Sequence, residues 1–142
     1  MKKILLTLAL SFTTLVSAHA AHPQCGETEL AKIMGEMKDD MKAIKGAAKS
    51  NDTIKVSALA QDLLITVRKA DDYVPLVISD KKELTAAQQA EFDDYKKGMA
   101  ALEDAVTELT MAKTADEQKA ALGKIGKSAK KGHKAFKMDC DD

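Results

Sequence analysis

Tryptophan is absent from this 142-residue sequence, and only two prolines, Pro23 and Pro75, interrupt it. Aromatic residues make up 4% of the chain, and beyond residue 20 they reduce to Tyr73, Phe92, Tyr95 and Phe136. A core must therefore be thin and built from Ala, Leu, Val and Met, a composition that, with abundant Lys, favours helices over strands. No excess of basic charge is present either: 22 Lys and Arg balance 22 Asp and Glu. Binding a phosphate backbone needs a net basic surface, so nucleic acid is excluded as a partner. There is no C-x-x-C and no C-x-x-C-H, which rules out covalent c-type haem attachment. No Glu-x-x-His pair occurs, as a di-iron carboxylate bundle requires.

A long hydrophobic run is missing too. Ile4 to Val16 is broken by Thr7, Ser11, Thr13 and Thr14, too short and too rich in hydroxyls to span a membrane. Lys2 and Lys3 precede it and Ala18-His19-Ala20 follows. Residues 1–20 therefore read as a secretory signal peptide of bacterial type, cleaved after Ala20. Residues 21–142 are left as one exported, periplasmic domain with one core. In that compartment the two cysteines, Cys25 and Cys140, are expected to form a disulfide.

What is present is helical periodicity. From Glu27 to about Ala48, Leu30, Ile33, Met34, Met37, Met41 and Ile44 mark one face. Ser50-Asn-Asp-Thr53 breaks the pattern and supplies N-cap candidates. A second helix is expected from Ile54 to Asp72, with Val56, Leu59, Leu63, Val67 and Ala70 inward, ended by Tyr73-Val-Pro75. Residues 74–84 form the longest connection, whose Leu76, Val77 and Ile78 are expected to fold over one bundle end. Thr85 and Gln88 form a capping box for a third helix bearing Phe92, Tyr95, Met99, Leu102, Val106 and Leu109. Thr114 and Glu117 repeat that signal for a fourth helix, Ala115 to about Met138, with Leu122, Ile125, Ala129, Gly132 or His133, and Phe136 inward. Four helices and short loops predict an all-α, antiparallel up-down-up-down four-helix bundle.

In such a bundle the start of helix one and the end of helix four share one end, which brings Cys25 to Cys140. Met34 is nine residues from Cys25 and His133 seven from Cys140, so at about 1.5 Å per residue the two lie within roughly 3 Å of one depth. Either residue alone reads as ordinary packing. Together, a thioether and an imidazole converging across one end of a core form the donor set of six-coordinate haem iron. Gly35, Gly98 and Gly132 sit beside Met34, Met99 and His133, consistent with backbone clearance for a bulky group. His22, next to Pro23, is expected to be unstructured.

The stretches Leu30-Ala-Lys-Ile-Met34-Gly-Glu-Met-Lys-Asp-Asp-Met-Lys-Ala-Ile44, Asp94-Tyr95-Lys-Lys-Gly98-Met99 and Ala129-Lys-Lys-Gly-His133-Lys-Ala-Phe-Lys137, in that order after an export signal, resemble the soluble periplasmic cytochrome b-562 family. The resemblance implies one non-covalent haem b (protohaem IX) per chain, with Met34 and His133 as axial iron ligands. It also implies a pocket wall that includes Met37, Tyr95 and Met99. The sequence departs from the family where a second helix-three aromatic is replaced by Met99, where an arginine is replaced by Ala129, and in its terminal cysteine pair.

With both axial positions filled, one-electron transfer rather than catalysis is the expected role. The lysines of helix four offer a face for an unidentified redox partner protein. Two other readings stand beside this one. One is a copper-handling bundle using Met34, Met37, Met41, Met99, Met111 and Met138, since thioethers suit Cu(I). The other is a haem-free stress or scaffold bundle.

Overall fold

The computed structural model describes residues 22–138 and Cys140; residues 1–20, expected to be a signal peptide, lie outside the described residues. Four helices follow in order: α1, Glu29–Lys49; α2, Thr53–Ala70; α3, Ala86–Met111; and α4, Ala115–Phe136. No strand occurs among the described residues.

Each helix starts where a side chain can satisfy the unpaired N–H groups of a first turn. Thr28 accepts from the Ala31 N–H, and Asp52 from the Lys55 N–H. Both anticipated capping boxes form, Thr85 with Gln88 and Thr114 with Glu117. Such caps contribute about 1 kcal/mol each. The backbone N–H groups of Lys113 and Thr114 hold the Glu117 carboxyl below its ordinary range. α1 and α4 are shorter than their periodicity suggested. α1 begins only after Thr28, and α4 stops at Phe136. The tight α1–α2 turn places Asn51 in the left-handed region at φ 55°, which asparagine tolerates better than most residues.

The helices meet in opposite senses. Asp40 accepts from Thr66 while Glu36, one turn earlier, meets Lys69. Ser57 donates to the Thr110 carbonyl, and Arg68 pairs with Glu103 at 2.7 Å. Lys124 pairs with Glu108 and Phe136 packs on Tyr95. The core runs through Ile33, Met37 and Ile44 of α1, Val56, Leu63 and Val67 of α2, Tyr95, Val106 and Leu109 of α3, and Ala121 and Ile125 of α4. Gln118 is buried as well, and its amide donates to the Thr53 carbonyl at 2.9 Å, tying α4 to α2 at the end opposite the cysteines.

The loop after α2 closes the cysteine end. Pro75 and Ile78 are buried and Gln88 donates to the Ile78 carbonyl, whereas Val77 is exposed. His22 is ordered, contrary to expectation: its Nδ1 accepts from the Gln24 N–H and its Nε2 faces Asp80 at 3.6 Å. This contact fastens the start of the chain to the α2–α3 loop.

Tyr95 is the polar anchor of that end. Its hydroxyl donates to the Ala70 carbonyl at 2.9 Å, and burial, then the Asp71 charge, raises its pKa above the ordinary 10.0. A raised folded-state value means that the contribution is intact below pH about 10 and lost as pH climbs through the alkaline range. Tyr95→Phe is expected to cost about 1 kcal/mol at neutral pH, since the Ala70 carbonyl keeps its bond from Tyr73. It should also flatten the alkaline decline in urea-denaturation midpoint measured between pH 8 and 11.

Candidate haem-binding seam

Three helix pairs, α1 with α2, α2 with α3 and α3 with α4, run side by side in close contact. α2 and α4 touch over a shorter span, and α1 and α4 make no approach of comparable extent. These last two helices are instead joined at their ends by the Cys25–Cys140 disulfide, whose Cα atoms lie 5.7 Å apart. A seam between α1 and α4 is thus left without direct helix packing.

Helical periodicity, anchored by observed contacts, identifies what lines it. On α1, Glu36 and Asp40 mark the flank facing α2. At about 100° per residue, the core residues Ile33, Ile44 and Met37 follow, and Leu30, Met41 and Met34 form the opposite flank. All three of these are half-buried. On α4, Lys124 marks the flank facing α3, reaching Glu108 at 2.6 Å. His133 is nine residues on, about two and a half turns, and so points the opposite way. Met34 therefore lies on the side of α1 away from α2, and His133 on the side of α4 away from α3. Both front the seam.

Their depths agree as well. Met34 is five residues inside α1 and His133 three residues inside the end of α4, a difference of roughly 3 Å at 1.5 Å per residue.

His133 departs from expectation in its exposure. The inward midline of α4 passes through Ile125, half-buried Gly132 and half-buried Phe136, and His133 itself is exposed. A period of 3.6 puts position 132, seven residues after Ile125, on the midline and turns 133 onto the flank. That flank has no helix packed against it. Among the described residues the His133 side chain has no hydrogen-bond or ion-pair partner. It is a nitrogen donor on the flank of α4 turned away from α3.

The proposed wall residues separate. Met37 is buried in the core beneath the seam, next to Met34 by one helical turn. Tyr95 is buried and takes Phe136 edge-on, with centroids 5.6 Å apart at 85°. This contact makes an aromatic floor at the cysteine end. Met99 lies further round, lining an open groove of about 350 Å³ with Val67, Asp71, Lys96 and Glu103 between α2 and α3. Phe136 acquires a structural role through Tyr95 that its place on the apolar stripe alone did not specify.

The glycines divide likewise. Gly35 and Gly98 are exposed on outer helix surfaces, which removes them as sources of clearance. Gly132 is half-buried, and a Cβ built there meets nothing within 4 Å. Gly35→Ala and Gly98→Ala are expected to stabilise the protein by up to about 1 kcal/mol each, read from denaturation curves, without affecting ligand binding. Gly132→Ala should stabilise the ligand-free chain similarly but weaken haem retention, because its methyl enters the seam beside His133.

The donor set fits haem better than it fits copper. Met37 is buried in the core, Met99 lines the α2–α3 groove, and Met111 is exposed at the opposite end of the bundle from Met34, so these thioethers do not converge on one point. A soft thioether and an imidazole on opposing helices, with apolar Leu30 and Met41 on the same flank of α1 and Phe136 one turn from His133, suit a flat apolar ring carrying a metal.

No helix among the described residues is long and apolar enough to cross a membrane. No curated protein and no solved structure matches the chain. A family model described as cytochrome b562 matches residues 29–137, from the first residue of α1 to the residue after α4. With four helices, no strand among the described residues and a match over most of its length, the chain belongs to the cytochrome b562 family, four-helix b-type haem proteins that carry electrons.

Proposed function

We propose that this protein is a periplasmic one-electron carrier that holds a single non-covalent haem b in the α1–α4 seam, with Met34 and His133 as the axial ligands. The observation that carries the reading is the placement of these two side chains on the unpacked flanks of α1 and α4 at matching depth. Haem bound there supplies reversible one-electron chemistry at iron, with a thioether ligand raising the potential. The protein's part is to fix the two donors and exclude competing ligands. His133, without a side-chain partner among the described residues, is available as a nitrogen donor. Met34 is half-buried and packs against the hydrophobic core. Leu30, Met41 and Phe136 keep the surroundings apolar, and the disulfide holds the seam's two sides in register at their ends. With protein donors in both axial positions, no site is left for a small molecule to react, which accords with a carrier rather than a catalyst.

The visible spectrum of the protein purified from the periplasm tests this. A sharp Soret band, resolved α and β bands on reduction, and one haem per chain are expected. Mass spectrometry of the same sample should show a chain beginning at Ala21. Copper uptake with no haem spectrum would overturn the assignment.

A further inference from the structure

The seam is bordered by an unusual charge distribution. Seven of the 22 basic residues lie between Lys119 and Lys137, and no acidic residue lies among them. With net charge near zero, the rest of the chain carries the compensating excess of acidic residues. α1 contributes to the same side: Lys38, Lys42 and Lys45 fall on the outer flank next to Met34, with Lys38 one turn beyond it. Lys130 and Lys137 sit one turn to either side of His133. All are exposed, and apart from Lys124, which reaches Glu108 on the α3 flank, none makes an ion pair among the described residues. Cations elsewhere are mixed: Lys32, Arg68, Lys69 and Lys97 each pair with a carboxylate, whereas Lys55, Lys82 and Lys113 do not among the described residues.

Helix stability does not account for this. The macrodipole favours cations only in the last turn, whereas the α4 lysines run through most of the helix. Pairs such as Lys127 with Lys131 and Lys130 with Lys134 are like charges at a four-residue spacing, which is unfavourable. A lipid surface is also a poor match. A membrane-binding helix needs an apolar face to insert, and that of α4 is occupied by α3 and the core, while the large exposed apolar residues Ile54, Ile65, Tyr73, Val77 and Met111 all lie on other elements.

We infer that the lysine-lined α1–α4 face is the docking surface for an acidic electron-transfer protein. This inference rests on the haem reading for its purpose, since the face surrounds the two proposed ligands. Charge complementarity would steer the partner to the side where the electron enters or leaves. Steering of this kind raises association rates by about 10- to 1,000-fold at low salt.

The test uses a flavodoxin, a small acidic flavoprotein, as the probe. Its reduced form is mixed with the oxidised protein in a stopped-flow instrument at low and at physiological ionic strength. The wild-type rate should fall steeply with salt. Lys38→Glu/Lys130→Glu/Lys134→Glu should lower the low-salt rate at least tenfold with an unchanged visible spectrum. Lys55→Glu/Lys82→Glu/Lys113→Glu, an equal charge change spread over other faces, should lower it less than threefold. Equal effects of the two triple variants, or a salt-independent rate, would overturn the docking site while leaving haem ligation standing. Nitrogen–proton shift mapping with the same flavodoxin reads docking whether or not haem is bound. Perturbations along α4 and the first half of α1 are expected; perturbations centred on α2 and α3 would overturn the proposal. Binding to anionic vesicles in place of flavodoxin would assign the face to a membrane instead.

Discussion

His133→Ala is expected to abolish stable haem retention, so that the variant leaves a size-exclusion column colourless where the wild type leaves it red. The side chain is exposed and, among the described residues, has no hydrogen-bond or ion-pair partner, so the ligand-free fold should keep its stability to within about 0.5 kcal/mol on its removal. What disappears is the stabilisation that a bound ligand confers on the native state. Haem at 100 times its dissociation constant contributes about 2.7 kcal/mol, on the order of 10 °C in Tm for a domain of this size. The haem-dependent rise in Tm should therefore vanish with the colour. Met34→Ala is the informative counterpart. Its half-buried side chain contributes packing, so a loss on the order of 1–2 kcal/mol accompanies it. Haem held by His133 alone should remain, but as five-coordinate, high-spin iron visible in the absorption and magnetic resonance spectra. Unchanged spectra in both variants would refute the ligand pair.

Breaking the Cys25–Cys140 bond is expected to have the largest effect on stability. The bond joins positions separated by 115 residues, and closing a loop of that size restricts the unfolded chain by about 4–5 kcal/mol in the chain-entropy account. Its consequence for the site should exceed that of an ordinary staple. The other neighbouring helices are held by packed side chains and by ion pairs such as Arg68 with Glu103 and Lys124 with Glu108. α1 and α4 lack comparable packing, so the disulfide is the principal tie across their seam. Cys25→Ser/Cys140→Ser should lower the denaturation midpoint with and without haem. It should also speed haem transfer to apomyoglobin, because the two sides are then free to part. A variant that lost stability but released haem at the wild-type rate would show that the tie acts on the unfolded chain alone.

Much of this arrangement was legible one residue at a time. Thr85 with Gln88 and Thr114 with Glu117 announced two helix starts, and both capping boxes form, since a cap is a local contest between a side chain and water for an unpaired N–H. The core stripes of α1, α2 and α3 were visible for a similar reason: Ile44, Leu63 and Leu109 recur at the helical period and have no polar group to satisfy. The cysteine pairing followed from the presence of two cysteines in a chain read as exported and, independently, from up-and-down topology. The orientation of His133 was less readable, because positions 132 and 133 share the stripe equally in a one-dimensional pattern. The contacts of Lys124 and Phe136 set the rotation of α4 and put Gly132 on the midline. The outward direction of Gly35 and Gly98 was hidden in the same way.

The sequence by itself determined the four helices, their caps and the end at which the cysteines meet, because each depends on neighbours within a turn or on chain connectivity; it also supplied the proposed ligand pair. Only the tertiary structure decided that α1 and α4 stay apart while the other sequential pairs close, that Met34 and His133 flank the resulting seam, and that unpaired lysines border it. Those facts depend on the rotation of each helix about its axis. That rotation is set by contacts between residues far apart in the chain, such as Thr66 with Asp40 and Tyr95 with Phe136, which no local pattern records.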